Sequence, residues 1–147
     1  MEGMDWAIQQ VRKLSSSPVE GVSIDEVLDY QRAQELILPE AYIKFLVNLG
    51  REPGDFLDGS NLRLSQLTKL QRSAGVILEE CDGPTLPERA FVFAEHQGYQ
   101  FLFFVLGLGD DPPVMHYLEE DAEFRQVAPS FSSWFIQTVR EDFSDND

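Results

Sequence analysis

Apolar residues recur along this chain first at the spacing of helices and then at the spacing of strands, with the change falling near Leu86. Met4, Ile8 and Val11 predict a short helix that ends before Ser15-Ser16-Ser17-Pro18. Trp6 lies off that stripe, in position to pack against the next element. Ser23 with Glu26 forms a capping box, and Val22 with Val27 supplies the apolar pair of a hydrophobic staple, so a second helix is expected over residues 24–34.

The third helix is the clearest local signal. Pro39 suits a first turn, where its missing N–H would have had no helical acceptor, and Glu40 adds negative charge near the amino end. Tyr42, Phe45, Leu46 and Leu49 then fall at i, i+3, i+4 and i+7 and give one buried stripe. Gly50 is expected to close this helix in the left-handed conformation. A loop is expected over residues 51–61, which contain Pro53, Gly54, Asp58 and Gly59. Leu64, Leu67, Leu70 and Ala74 restore helical spacing, with Ser65 as the candidate cap and Gly75 weakening the last turns before Cys81-Asp82-Gly83-Pro84.

Strands follow. Phe91 to Ala94 is aromatic and β-branched, Glu95-His96-Gln97-Gly98 supplies a turn, and residues 99–106 form the longest extended run. A turn around Asp110 and Asp111 leads to a strand over 114–118, a short strand is expected at 124–127, and a last helix over about 131–141 carries Phe131, Trp134, Phe135 and Val139. An antiparallel meander is the economical topology, with the 99–106 strand, continuously apolar over 101–105, in its centre and the helices at 24–34 and 42–49 as cover. The fold class read from this order is α+β, a small antiparallel or mixed sheet packed against several helices, in a single domain over 1–147 with a frayed acidic tail from about 142.

Composition adds a surface to this frame. Hydrophobic residues make up 43% of the chain, while 26 Asp and Glu against 11 Lys and Arg leave a net charge of −15, a globular composition with a strongly biased exterior. Such a field disfavours direct nucleic-acid binding, repels anionic membranes and speeds encounter with a basic protein; solubility alone is the plainer explanation. Asp5 near Met1, with Gln9, Gln10 and Arg12 breaking the apolar positions, departs from the signal-peptide pattern, and the run 101–106 is far short of a bilayer span. Cys81 is the one cysteine, so no internal disulfide forms and a reducing, cytoplasmic setting is expected.

Candidate chemistry is thin. His96 and His116, with Glu95 or Asp110, offer donors for a divalent metal but lack a ligand spacing, and they read as an exposed turn histidine and a sheet-surface histidine. Glu79, Glu80 and Asp82 around Cys81 disfavour a thiolate nucleophile. No catalytic residue, metal or cofactor is assigned, and no enzyme activity is expected. The acid itself is the candidate site: Glu95, Asp110, Asp111, Glu119, Glu120, Asp121 and Glu123 at the two rims of the meander, with Tyr99, Tyr117 and Trp134 as a partly exposed aromatic centre for a protein partner.

Leu38-Pro39, Tyr42 and Phe45-Leu46 before Asn48-Leu49-Gly50, followed late in the chain by Ser130-Phe131 and Trp134-Phe135, resemble the SMI1/KNR4 family, also called the SUKH superfamily. Leu49 stands where the family pattern has the first of two glycines. The likeness runs from about Ser23 to Val139. It implies a sheet backed by helices. For bacterial members it implies a cytoplasmic immunity protein that neutralises a toxin, often a nuclease, and for eukaryotic members a regulatory partner or scaffold. The partner it implies here is a basic toxin domain held by steric and electrostatic masking, without chemistry.

Overall fold

A computed structural model describes residues 2–144. In chain order the elements are α1 (Glu2–Leu14), β1 (Val19–Glu20), α2 (Ile24–Gln34), α3 (Glu40–Leu49), β2 (Glu52–Pro53), β3 (Ser60–Asn61), a 3-10 turn (Leu64–Gln66), α4 (Leu67–Glu80), β4 (Ala90–His96), β5 (Gln100–Val105), β6 (Val114–Leu118), β7 (Arg125–Ala128) and α5 (Phe131–Asp142). β1 pairs with β2, and the other five strands form one sheet in the order β3-β4-β5-β6-β7. Among the described residues all of these pairs are antiparallel, which resolves the antiparallel-or-mixed alternative within the α+β class.

The local signals act as the sequence predicts in α2. Glu26 N–H donates to Ser23 Oγ at 3.1 Å, and Ser23 N–H donates to Glu26 Oε1 at 3.2 Å. α3 buries Tyr42, Phe45, Leu46 and Leu49 as expected. Pro39 is the residue just before the first turn, and the Ala41 N–H that this leaves over donates to the Asp110 carbonyl at 2.9 Å. Gly50 departs from expectation: its φ is −69°, right-handed. Closeness explains the glycine, because an added Cβ would lie 2.6 Å from the Leu46 carbonyl oxygen. Gly21 is tighter still; a Cβ there would lie 2.7 Å from Asn48 N and collide with the Val47 carbonyl, since the chain leaving β1 runs directly against α3.

β5 is the middle strand, as its continuous apolar run predicts. One face of the sheet presents Phe91, Phe93 and Phe104, which meet Tyr42 of α3 and Phe131 of α5, with Trp134 against Phe93. The opposite face carries Phe101, Phe103 and Tyr117, closed by Phe124. α4 lies along β4, where a bulge between Val92 and Ala94 interrupts the ladder. Gln71 of α4 bonds both backbone groups of Val92, accepting its N–H at 2.9 Å and donating to its carbonyl at 2.7 Å. The side chain thereby replaces a strand at an edge that β3 is too short to cover.

Several expectations need correction. The helix cover comes from α3 and α5 on the first face, while α2 contributes the edge of Tyr30 to Phe91. The loop expected over 51–61 contains β2, β3 and the fully buried Phe56, which packs on Phe45, Trp134 and Phe135. Ser65 does not cap α4; Gln66 instead accepts the N–H groups of Leu62 and Arg63. Trp6 stays exposed, with the Arg140 guanidinium of α5 5.4 Å from its ring centre. Of the tail expected from about 142, Asp142 ends α5 and Phe143 is buried, while residues 145–147 lie outside the described residues.

Candidate functional site

Residues 90–124 contain no Lys or Arg, and their acids are Glu95, Asp110, Asp111, Glu119, Glu120, Asp121 and Glu123. The meander sorts them into two groups. The β4–β5 turn and the β6–β7 connection lie at one end of the sheet, joined by a bond from Glu119 N–H to the Tyr99 carbonyl at 2.8 Å. Glu95, Tyr99, Glu119, Glu120, Asp121 and Glu123 therefore share that end, while Asp110 and Asp111 sit at the other on the β5–β6 connection.

The second group is structural in its contacts. The Asp111 carboxylate accepts from Ser132 N–H at 2.8 Å and from the Ser132 hydroxyl, tying down the first turn of α5, and the Asp110 carbonyl serves α3 in the same way. The aromatic centre is also corrected. Tyr117 is 0% exposed and Trp134 7%, because alternation along β6 turns Tyr117 onto Phe101, and Trp134 wedges between Phe56 and Phe93. Tyr99 alone of the three stays partly exposed, edge-on to His96 with ring centres 5.9 Å apart.

At the acid-rich end the first face of the sheet has a recess. Ala94, His96, Leu102 and His116 form its floor and walls, and Leu57 of the loop before β3 and Ser60 of β3 complete it, for a volume of about 150 Å³. Glu95 is paired with Phe101, whose ring lies on the opposite face; its carboxylate leans over the turn at Gly98. The two histidines, paired as possible donors in the sequence, line one recess. His96 Nδ1 is 2.9 Å from Ser60 Oγ, and His116 Nε2 donates to Gln100 Oε1 at 2.9 Å. Neither is the free surface histidine expected. Burial lowers the His116 pKa; Asp121 opposes that shift and Arg125 adds to it.

Leu57 enters the recess from a left-handed backbone, φ 47°, which a bulky residue rarely adopts. Two bonds hold it there: its N–H donates to the Asp142 carboxylate at 2.9 Å, and its carbonyl accepts from Ser60 N–H at 2.9 Å. Asp142 stands near Asp55 and Asp58, and partial burial with those two charges raises its pKa. The loop thus brings Asp55, Asp58 and Asp142 to the same region, none of them among the candidate site residues of the sequence. The sequence places Asp58 in a turn with Gly59 and Asp142 at the start of an acidic tail, and nothing local joins the two.

The arrangement offers recognition and little chemistry. Among the described residues, no group of three or more His, Cys, Asp or Glu could hold a metal ion, and Cys81 is a half-buried thiol at the end of α4. Among the described residues no helix is long and apolar enough to cross a membrane. A second surface at the α2–α3 corner exposes Leu28 and Ile37 beside a broad shallow depression that Gln31, Arg32, Glu35 and Leu36 also line. Compared with known families, residues 21–137 match the model of the SMI1 / KNR4 family (SUKH-1). No curated protein matches the chain.

Proposed function

Since the chain belongs to the SMI1/KNR4 family (SUKH-1), we propose that it is a cytoplasmic immunity protein that binds a basic bacterial toxin, a nuclease, and masks its active region without chemistry. Membership supports a general protein-binding or immunity role, and members of the family are typically non-catalytic. The toxin and the masking mechanism are the further step. The observation that carries them is the stretch 90–124, free of cations, which gathers Glu95, Glu119, Glu120, Asp121 and Glu123 at one end of the sheet beside an apolar recess.

A nuclease is basic where it grips nucleic acid, so an acidic binder competes for the same surface. Long-range attraction speeds encounter, and desolvated apolar contact at the centre then slows escape. The solvent-facing acids contribute mainly to association rate, while the recess contributes to lifetime. Mixing the chain with the nuclease made beside it should give a one-to-one complex without nuclease activity. Reversing the charge of Glu119, Glu120 and Glu123 to Lys should slow association while leaving the fold intact. A stable complex with a regulatory protein instead, and none with that nuclease, would replace the toxin reading by the scaffold one.

A further inference from the structure

We propose that the recess between Leu57, Leu102, His96 and His116 is the seat of an arginine side chain supplied by the partner, a reading that rests on the binding role above. Its volume of about 150 Å³ is well below the roughly 300–1,000 Å³ of pockets that enclose small-molecule ligands, and it suits one side chain. Leu57, Ala94 and Leu102 provide apolar walls along which a methylene stem can lie.

The polar groups at its edge are suited to a donor. Gln100 Oε1 accepts from His116 Nε2 and keeps a second lone pair, and Ser60 Oγ stands beside His96 Nδ1. Carboxylates are tied to the residues that line it: Asp58 lies in the chain between Leu57 and Ser60, Asp142 accepts the Leu57 N–H, and Asp121 acts on His116. Arg125, paired with His116 across the sheet, is drawn to Asp121 at 3.6 Å and leaves the remaining acids of this end to a guest.

Guanidinium fits this environment better than ammonium. It is weakly hydrated and presents five donors in a plane, whereas a lysine head must shed a tightly held shell to enter an apolar cleft. Leu57 also bears the mark of a functional wall, because its left-handed backbone is kept by two specific bonds where a glycine would have sat without strain.

The test is an NMR titration of the full chain with acetyl-arginine amide, acetyl-lysine amide and acetyl-leucine amide. The arginine compound should shift the His96 and His116 ring signals and the Leu57 and Leu102 methyl signals saturably, the lysine compound more weakly, and the leucine compound not at all. Leu57→Gly suits the backbone and removes the wall, so its spectrum elsewhere should be preserved while the arginine shifts are lost. Equal shifts with the leucine compound, unmoved ring and methyl signals, or undiminished shifts in Leu57→Gly would each overturn the seat. Nuclease inhibition without these shifts discards the seat and keeps the binding role; the shifts without inhibition do the reverse.

Discussion

Replacing Tyr42 by phenylalanine should stabilise this protein. The Tyr42 ring is 0% exposed and is held by Phe45, Phe91, Phe93, Phe104 and Phe131, contacts that a phenylalanine keeps. Its hydroxyl has no hydrogen-bond partner among the described residues, and burial pushes its pKa well above the ordinary tyrosine value. Leaving a hydroxyl buried and unpaired costs about 1–3 kcal/mol by mutational measurement, and the unfolded chain returns it to water. Removing one oxygen leaves a void smaller than a methyl group, so loss of packing offsets only part of that gain. A net stabilisation of about 1 kcal/mol is expected, which for a chain of this size raises Tm by roughly 2–4 °C. Urea unfolding followed by fluorescence and circular dichroism measures it, with an unchanged slope required so that the midpoint reports stability. Destabilisation by about 1 kcal/mol or more would show that the hydroxyl is paired and that the reasoning is wrong.

Three further substitutions probe the frame. Gly21→Ala should destabilise by about 1–3 kcal/mol in the same denaturation assay, because its Cβ would press on the backbone of α3 and neither segment has room to yield. Asp111→Ala should cost about 1 kcal/mol by freeing the Ser132 N–H at the start of α5, whereas Asp110→Ala, whose α3 contact is through the main chain, should be near neutral. Asp142→Asn should raise stability slightly at neutral pH. The folded carboxyl has a raised pKa, so its ionisation opposes folding at neutral pH; the advantage of the amide should shrink as pH falls and vanish below 3.8, where Asp142 is protonated in both states.

Most of the fold was legible because local and long-range preferences agree. The Ser23–Glu26 box, the Tyr42-Phe45-Leu46-Leu49 stripe and the strands around Phe91 and Phe103 each point to one structure at every scale. What escaped depends on tertiary contact. β1 and β2 are two residues each and exist because Gly21 lets the chain lie against α3 while Arg51 N–H bonds the Glu20 carbonyl; Phe56 falls in a loop by local pattern because its pocket is made by Phe45 of α3 with Trp134 and Phe135 of α5. Gly50 was read by conformation when its reason is space.

The site was legible by half. Charge counting found the acid, and strand order split it between two ends of the sheet, but the sequence could not tell which face of β6 lay under cover. Tyr117 was therefore placed on the surface and His116 set aside, when alternation buries the first and gives the second to the recess. Leu57 and Asp142 are 85 positions apart, and nothing local links them.

If an acidic end of the sheet captures a basic protein, charge governs the rate at which the two meet. Stopped-flow association of the intact chain with the nuclease made beside it, followed from low to near-molar salt, tests this most directly. A one-to-one complex is expected, whose association rate falls steeply as salt rises while dissociation changes little. An association rate indifferent to salt, or a nuclease that stays free and active in excess chain, would contradict it.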